Sequence, residues 1–472
     1  MVRDATATTD VVVIGGGPGG LATALFAARR GFEVLLVERD GDPRDGSADG
    51  DFDEWRRPGV PQARQSHVFL GRGCRVLAQE APDVMDALLS RGVLQVPVGF
   101  RGLGVVKDSE AVNLLSRRLV FEGVLRRAVL REPRVGMIAD DAVVGLTAGS
   151  GRPPVVTGVK TQHGRVISAA LVVDATGRRS PAPTWIAEHG AAEPPTSVQQ
   201  LGLQYVTRFY RLRTAAEYPS TVVPLRDDLG YMIALAFAAD NATFSLTLAC
   251  LVNDPLRRAL ADPRVFEEVL GAVPLTRPWL DVGDPISPVH PMARIENRWR
   301  RLVDSHGPLV GDFVLVGDSS MHTNPTFGRG VSLALAQAQH VADILDAHDD
   351  ALQYVADYEW WTDQHLGEWF ATQVQGDQAT FERFQATIQG APLPAPSPGW
   401  PQFFTGMRAL APTDEDVAQA LARVWNLLST PTEIMADTNL VQRVERHWSS
   451  HAPIVQAEGP GRATFEEIVT AH

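Results

Sequence analysis

The chain has 472 residues, of which 56 are Asp or Glu and 43 are Lys or Arg, so its formal net charge at pH 7 is -13. Hydrophobic residues make up 44% of it and charged residues 21%, which is ordinary globular usage and excludes collagen-like, coiled-coil and wholly disordered chains. A chain this acidic has no overall positive field to attract phosphate backbones or anionic lipid. We therefore expect neither nucleic acid nor a membrane surface as a partner.

Cysteine usage and apolar runs indicate the compartment. Cys74 and Cys250 allow at most one disulfide, and such sparse usage suits a reducing cytoplasm in which both thiols act as small buried hydrophobes. The most apolar stretch, residues 231–252, is interrupted by Asp240 and Asn241. It predicts a buried β-hairpin rather than a membrane span, which needs ~20 unbroken apolar residues. With no signal-peptide pattern in residues 1–10, we predict a cytoplasmic protein.

The first elements form a strand, helix, strand unit. An apolar run from Val11 ends in glycines, a helical stretch follows to Arg30, and residues 34–37 form a second apolar run. Residues 40–55 are rich in Asp and Gly and predict a mobile surface loop. Helical patterns follow at about 69–89 and 117–130, and strand patterns at 155–159 and 170–173.

The remaining pattern predicts an interrupted domain. Residues 181–291 alternate apolar runs and predict a largely antiparallel sheet, whereas the strand VLVGD near Phe313 and the helical stretch after Gly330 indicate a return to the first domain. The expected fold class is α/β, with a discontinuous Rossmann-like domain, an inserted substrate-binding β-sheet domain and a helical C-terminal region. The predicted boundaries are 1–180 and 292–350 for the two parts of the first domain, 181–291 for the inserted sheet and 351–472 for the helical region.

A glycine motif opens the first helix. Gly15, Gly17 and Gly20 fit G-x-G-x-x-G between a strand and a helix, and Glu38 ends the next strand. Such glycines allow a tight turn, close approach to a pyrophosphate and helix packing, while the helix N-terminus supplies N–H donors. Glu38 can accept hydrogen bonds from a ribose and disfavours a 2′-phosphate. The motif predicts binding of FAD or NAD rather than NADP.

A second motif lies far along the chain. Asp318 ends a strand, and Pro325, Gly328 and Gly330 precede a helix. A carboxylate at a strand end can accept hydrogen bonds from polyol hydroxyls, and the helix N-terminus can stabilise negative charge such as that of a reduced flavin. By spacing alone, a structural Asp beside a Gly-rich turn is an equally good interpretation.

The two motifs, together with VVDATGRRSP at 172–181, resemble the group A flavin monooxygenases of the p-hydroxybenzoate hydroxylase fold. The resemblance covers about the first 345 residues. The segments at 58–73 and 115–129 are most similar to the bacterial polyketide-tailoring branch, which includes epoxidases and cyclase-like flavoproteins. The resemblance implies FAD-binding roles for Gly15, Gly17, Gly20, Glu38, Arg39, Arg64, Arg117, Asp318, Pro325, Gly328 and Gly330. In it, Asp318 binds the ribityl chain, Gly328 and Gly330 face the flavin ring, and the two arginines 64 and 117 lie near FAD or act as structural ion-pair residues.

Some positions depart from the family pattern. The usual Asp-Gly motif reads Asp174-Ala-Thr-Gly177 here, and Arg329 stands where many relatives have Gln, either beside the flavin or directed to solvent. A halogenase would show W-x-W-x-I-P, and the sequence contains none. The missing signature argues against halogenation, and the departures remove no named contact.

The resemblance implies an epoxidase or hydroxylase that works through a flavin C4a-hydroperoxide, with NAD(P)H as a transient reductant or a separate flavin reductase as its source of electrons. The cofactor carries the difficult chemistry, so we name no catalytic residue and no metal site. His67 and His322 lie near the flavin motifs, but a hydrogen-bonded structural role is the more common one for such histidines. The chain has no second G-x-G-x-x-G for a stable nicotinamide site.

Aromatic residues of the middle sheet are the candidates for substrate contact, namely Tyr205, Phe209, Tyr231, Phe237 and Phe244. Aromatic residues in strands are more often core than pocket, but their number suits a large apolar substrate such as a polyketide. The same motifs also fit a non-redox cyclase, of the Diels–Alder type, that keeps FAD as a structural element. The sequence leaves both functions open.

Overall fold

A computed structural model describes residues 6–42, 46–100, 104–221, 225–293, 295–347, 350–450 and 459–472. The strands of these residues are, in chain order, β1 (Thr6–Ile14), β2 (Val34–Val37), β3 (Val68–Phe69), β4 (Leu94–Pro97), β5 (Gly99–Phe100), β6 (Gly104–Val105), β7 (Val112–Leu115), β8 (Val135–Ile138), β9 (Val143–Ala148), β10 (Val156–Thr161), β11 (Val166–Asp174), β12 (Thr196–Gln200), β13 (Leu203–Leu212), β14 (Arg226–Asp228), β15 (Met232–Ala238), β16 (Thr243–Leu251), β17 (Gly283–Pro285), β18 (His290–Met292), β19 (Glu296–Arg300), β20 (Val303–Asp304), β21 (Gly307–Pro308), β22 (Phe313–Leu315) and β23 (Met321–His322).

The α-helices are α1 (Pro18–Arg29), α2 (Ala48–Asp53), α3 (Gly71–Glu80), α4 (Pro82–Ser90), α5 (Arg118–Arg131), α6 (Ala182–Ala187), α7 (Pro263–Ala272), α8 (Arg277–Val282), α9 (Arg329–Asp343), α10 (Ala351–Gln389), α11 (Trp400–Leu410), α12 (Glu415–Trp425), α13 (Pro431–Met435), α14 (Thr438–Ser450) and α15 (Arg462–Ala471). Short 3-10 turns lie at Pro255–Ala261, Gly317–Ser319 and Pro325–Phe327. Within the described residues, every helix is either too short or too polar to cross a bilayer.

The first sheet has seven strands in the order β8-β2-β1-β11-β10-β9, with β22 paired to β11. Strands β8, β2, β1, β11 and β22 run parallel to their neighbours, while β9 and β10 are antiparallel additions. The Val-rich runs of β1 and β2 are buried along their length because helices cover both faces of a parallel sheet. Strand β22 returns to this sheet from residue 313 onward, after the chain has formed the second sheet.

The second sheet, called the middle sheet below, has six antiparallel strands in the order β14-β15-β16-β13-β17, with β18 also paired to β13. The hairpin β15–β16 occupies the most apolar part of the sequence and is buried, as its pattern predicts. The 39-residue helix α10 packs against α9 of the first sheet and β16 of the middle sheet. The helical C-terminal region therefore bridges the two sheets. The expected α/β class with an antiparallel sheet and C-terminal helices is confirmed.

The Asp-rich segment 40–55 differs from the expected mobile loop in its described residues, which fold inward. Helix α2 begins after the N-cap Ser47, and Asp51, Phe52 and Trp55 are at most 2% exposed. Asp51 forms an ion pair with Arg127 of α5, and the two aromatic rings pack beneath arginine side chains. Composition alone misses this because the acidic residue finds its cation 76 positions away.

Cys74 and Cys250 are free and buried, and burial raises the pKa of each thiol to about 12. They act as small hydrophobes, as expected.

Candidate functional site

A deep cleft lies where the parallel sheet meets the middle sheet, with about 2500 Å³ of empty space including its open mouth. The comparable cavity volume, about 370 Å³, lies within the ~300–1,000 Å³ of ordinary small-molecule sites, and the cleft continues into its open mouth. Both glycine motifs and one face of the middle sheet line it. Of the residues expected to bind FAD, those on the cleft wall are Gly15, Gly17, Glu38, Arg39, Asp318, Pro325, Gly328 and Gly330.

The first glycine motif has the shape that a pyrophosphate requires. Gly15 has a φ of +101°, and a Cβ there would lie 2.6 Å from the Ala175 carbonyl oxygen. At Gly20 a Cβ would lie 1.9 Å from the Gly15 oxygen, so this glycine lets α1 pack on β1. At Gly17 a Cβ would meet nothing within 4 Å, and Gly17 is the N-cap of α1. The helix N-terminus thus faces open space in which an anionic group fits.

Glu38 lies at the end of β2 and is 4% exposed. Its Oε2 accepts a hydrogen bond from Gly16 N at 2.5 Å, and its Oε1 accepts one from Asp40 N at 2.8 Å. Arg57 Nη2 is 3.3 Å from Glu38 Oε2, and Asp40 and Glu122 also pair with Arg57. Burial lowers the pKa of Arg57, but the three carboxylates outweigh it and raise that pKa above its ordinary value. Arg57 therefore balances the acidic residues beside the glycine loop.

The second motif brings Asp318 to the N-terminus of α9. Gly328 has a φ of +69° and caps the helix, and a Cβ on it would lie 2.8 Å from Val68 Cγ1. A Cβ at Gly330 would lie 3.9 Å from Asp318 Oδ1, so the carboxylate and the first turn of α9 share one wall. Burial raises the pKa of Asp318, but His322, whose Nδ1 is 3.2 Å from Asp318 Oδ2, helps to lower it below its usual value. Asp318 is therefore an ionised acceptor.

His67 lies in the cleft beside Arg118, whose Nη1 is 3.5 Å from His67 Nε2. Burial and the charge of Arg118 lower the pKa of His67 to about 3. Its Nδ1 is 2.9 Å from the Gln65 carbonyl oxygen. His67 is thus neutral near pH 7 and is suited to hydrogen bonding rather than to delivering a proton.

Hydroxyl groups line the middle-sheet side of the cleft. Thr207 Oγ1 lies 2.7 Å from both Thr247 Oγ1 and Gln65 Oε1, and Ser66 Oγ lies 2.7 Å from Thr247 Oγ1 and from Ser245 Oγ. These polar residues are held in strands that are otherwise apolar. Sequence reasoning missed them, although Ser245 and Thr247, two positions apart in an apolar run, mark a strand face that looks into a cleft.

Tyr205 joins this wall to helix α10. Its hydroxyl donates to Asn324 Oδ1 at 2.7 Å and also contacts the Thr326 hydroxyl. Asn324 Nδ2 donates to Asp377 Oδ1 at 2.7 Å, while Asn297 donates to Asp377 Oδ2 at 2.8 Å. Asn324 immediately precedes the second glycine motif. The C-terminal region, whose role the sequence leaves open, therefore holds both the second glycine motif and the middle-sheet side of the cleft in place.

Two arginines expected near FAD lie outside the cleft wall. Arg64 donates to the Phe52 carbonyl oxygen at 2.8 Å and lines a smaller neighbouring pocket. Arg117 has a fully buried side chain whose Nη2 donates to Asp240 at 2.6 Å and to Asp49 at 2.9 Å. Both are structural in this arrangement, because Arg64 bonds helix α2 and Arg117 joins α2 to the turn after β15.

Of the five aromatic candidates for substrate contact, Tyr205 and Phe237 line the cleft. Phe209 packs on Phe52, with ring centroids 4.8 Å apart, and the other two lie in the core behind the middle sheet. Phe244 stacks on Tyr210 there, and Tyr231 stacks on Phe465. Phe244 fails because alternate residues of a strand face opposite sides, and the sequence does not show which side holds the cleft. Phe209 is on the same face of β13 as Tyr205 but packs on Phe52, and Tyr231 precedes β15.

The departures from the family pattern have structural explanations. Asp174 accepts hydrogen bonds from Thr176 N at 2.8 Å and from the Ser180 hydroxyl, so it orders the loop after β11. Arg329 points neither to the flavin wall nor to solvent, because its Nη1 donates to the Trp369 carbonyl oxygen at 2.7 Å within the α10 interface. Burial lowers the pKa of Arg329 to about 10.

The chain is similar to several known proteins. The family model described as FAD dependent oxidoreductase matches residues 10–135. Protein Rv3254 of Mycobacterium tuberculosis is 25% identical over 72% of this chain and 74% of its own length. The 3-hydroxy-4-methyl-anthranilyl-[aryl-carrier protein] 5-monooxygenase of Streptosporangium sibiricum is 25% identical over 74% of this chain and 82% of that protein. Aklavinone 12-hydroxylase DnrF of Streptomyces peucetius is 77% identical over 30 residues, 6% of each chain.

Solved structures share the fold. p-Nitrophenol 4-monooxygenase PnpA of Pseudomonas putida has a TM-score of 0.60 at 15% identity, covering 90% of this chain and 99% of that one. Anhydrotetracycline hydroxylase OxyS of Streptomyces rimosus gives 0.59 at 17% identity, covering 90% and 76%. Diels-Alderase PyrE3 of the pyrroindomycin pathway gives 0.58 at 14% identity, covering 90% and 81%. These likenesses confirm the group A flavin monooxygenase fold, and the FAD dependent oxidoreductase model together with the similarity to a 5-monooxygenase supports an enzyme that uses FAD.

Proposed function

Because the chain carries an FAD-dependent oxidoreductase domain in the group A monooxygenase fold, we propose that it inserts one oxygen atom, by hydroxylation or epoxidation, into a large and mostly apolar polyketide-like substrate. One observation carries the proposal. A single cleft is walled by the dinucleotide loop, by Asp318 with the N-terminus of α9, and by the hydroxyl-lined face of the middle sheet. A molecule on that face would lie against the same wall as the isoalloxazine ring.

The residues of the cleft fit FAD in a defined order. The open space at Gly17 and the N-terminus of α1 receive the pyrophosphate, and Glu38 accepts from the adenosine ribose through lone pairs that its own contacts leave available. Asp318 accepts from ribityl hydroxyls, and the first turn of α9 at Gly330 stabilises negative charge on the ring. When bound, FAD supplies the electrons and the activation of dioxygen.

The protein's own contribution is to bind, orient and exclude water. The aromatic residues Tyr205, Phe237 and Phe327 give the substrate side an apolar surface. The hydroxyls of Thr207 and Thr247 are hydrogen-bonded to each other, which fixes their positions. They can therefore orient a polar group of the substrate without being displaced by solvent. NAD(P)H is proposed as a transient reductant, with a separate flavin reductase as the alternative source of electrons.

The test uses the purified yellow protein with NADH or NADPH and two polycyclic polyketide probes, aklavinone and anhydrotetracycline. We expect the flavin to bleach on reduction and oxygen to be consumed as the probe gains one oxygen atom. Product that forms at full rate without oxygen, while the flavin stays oxidised, would contradict the monooxygenase function.

A second function, polyene cyclisation with FAD as a structural element, is favoured by one observation, the similarity to PyrE3 over 90% of this chain. It predicts a product of unchanged mass that forms equally fast in air and under nitrogen. A linear polyene substrate with a conjugated diene separates the two functions, because cyclisation removes its ultraviolet absorbance without any oxygen uptake.

A further inference from the structure

Arg226 lies on β14 with its side chain toward the cleft. In the sheet register it pairs with Leu235, which also lines the cleft. The Arg226 side chain is 7% exposed, so its guanidinium group is largely shielded from water. A buried guanidinium needs acceptors for its donors, because an unmade hydrogen bond to a buried charged group is costly.

The nearest carboxylate does not satisfy Arg226. Its Nη2 is 3.7 Å from Asp228 Oδ2, which is too long for a hydrogen bond, and its Nε has no hydrogen-bond partner among the residues that the structure describes. Both oxygens of Asp228 instead accept from Arg383, each at 2.6 Å. The charge of Asp228 is thus matched by Arg383.

The next carboxylate is also occupied. Asp377 accepts from the side-chain amides of Asn297, Asn324 and Gln373, and it interacts with the charge of Arg329. Burial lowers the pKa of Arg226, and the surrounding acids do not offset that effect. The wall around Arg226 therefore keeps a surplus of positive charge that no described carboxylate bonds.

Aromatic and hydroxyl groups surround this positive charge. The Arg226 guanidinium is 6.0 Å from the centre of the Phe327 ring, and the Trp425 ring lies 5.5 Å from Phe327. Tyr205 and Thr326 line the same cleft. A planar guanidinium fork matches the two oxygens of a carboxylate, and the flat rings suit a flat ligand.

We propose that Arg226 binds a carboxylate of the substrate, so that the enzyme acts on a planar, mostly apolar acid rather than on a neutral molecule. This inference rests on the proposed function, since it assigns the middle-sheet side of the cleft to the substrate. It replaces the expectation of a wholly apolar ligand with one that has an acidic end at β14 and an apolar body against Phe327 and Trp425.

The experiment is a calorimetric titration of the oxidised holoenzyme with two matched probes, 2-naphthoate and its neutral methyl ester. We expect the wild-type protein to bind the carboxylate about tenfold or more tightly than the ester, as a charge-assisted hydrogen bond implies. In Arg226→Met this preference is expected to fall to within about twofold, and Arg226→Lys, which keeps the charge but not the fork, to retain part of it.

Arg179→Met is the matched control, because Arg179 is an exposed arginine on the same cleft wall. It should keep the preference for naphthoate. Equal affinity for both probes in the wild-type protein would overturn the inference, as would a loss of preference in Arg179→Met equal to that in Arg226→Met. Since this titration needs no turnover, its failure is distinct from a failure to consume oxygen, which would count against the proposed function instead.

Discussion

Two buried arginines of one cleft have contrasting electrostatic surroundings. On the dinucleotide side, Arg57 is within 4 Å of Glu38, Asp40 and Glu122, so its charge is more than balanced. On the middle-sheet side, Arg226 has one carboxylate at 3.7 Å, and that carboxylate is bonded by Arg383. The contrast is one of local charge: three carboxylates surround the buried arginine on the dinucleotide side, whereas the one carboxylate near Arg226 is hydrogen-bonded by Arg383.

The largest expected effect compares these two arginines directly. Arg57→Met leaves buried Glu38 without its cation and leaves Asp40 and Glu122 with one arginine each, so we expect it to lower the free energy of unfolding by about 3–5 kcal/mol. Arg226→Met removes a buried charge that no carboxylate of the described residues hydrogen-bonds, so we expect it to leave that free energy unchanged or to raise it slightly. Urea unfolding of both variants checks this. Similar losses of unfolding free energy in the two variants would contradict the contrast between the two arginines.

A second effect concerns the shape of the glycine loop. Gly20→Ala places a Cβ 1.9 Å from the Gly15 oxygen, and we expect it to lower the free energy of unfolding by about 3 kcal/mol and to abolish FAD retention. Gly17→Ala is the matched control, since its Cβ meets nothing within 4 Å. It should unfold within about 1 kcal/mol of the wild-type protein yet bind FAD more weakly. Full FAD affinity in Gly17→Ala would show that the pyrophosphate does not approach this residue.

Asp318 provides a third test, on the flavin side of the cleft. Asp318→Asn removes the negative charge that we assign to ribityl binding, and we expect FAD affinity to fall by about 10- to 100-fold, as for loss of a hydrogen bond to a charged group. Gel filtration followed by the ratio of flavin to protein absorbance measures it. Asp284→Asn, at an exposed carboxylate outside the cleft, serves as the control. Stoichiometric FAD in Asp318→Asn at low flavin concentration would remove the residue from the site.

The smallest effect is a pH dependence on helix α10. Burial raises the pKa of Glu359 to about 7, although the Leu302 N–H and Arg301 act to lower it. The folded protein therefore holds a proton that the unfolded chain releases near pH 4.5, so stability falls as pH rises from about 4.5 to 7. We expect Glu359→Gln to flatten this fall by about 2 kcal/mol in urea titrations across that range. An unchanged slope would show that Glu359 is ionised when folded.

The parts that the sequence predicts are those in which the chemistry is local. Gly15, Gly17, Gly20 and Glu38 fall within 24 consecutive residues, and a strand-glycine-helix pattern has one main structural outcome. Asp318 with Gly328 and Gly330 is a second compact motif, and both motifs lie at the same cleft. The hairpin 232–251 is also local, since its apolar runs and its turn are adjacent in the chain.

The parts that the sequence misses depend on partners far apart. Arg117 looks like a cofactor ligand until Asp240, 123 positions later, is seen to bond it. Phe244 and Thr247 lie on one strand and face opposite sides of the middle sheet, and no pattern within the strand shows which side is the cleft. The sequence does not mark Arg226 as a candidate ligand contact for the same reason, because the competition of Arg383 of α10 for Asp228 is seen only in the fold.

The central claim is that dioxygen delivers an atom to a substrate held against the middle sheet, and labelled oxygen tests it most directly. The holoenzyme is reduced without oxygen and then mixed with ¹⁸O₂ and either aklavinone or anhydrotetracycline. The masses of the products are measured by mass spectrometry. The account predicts a product that carries one ¹⁸O atom. A product without ¹⁸O, or one that also forms from the oxidised enzyme under nitrogen, would contradict it.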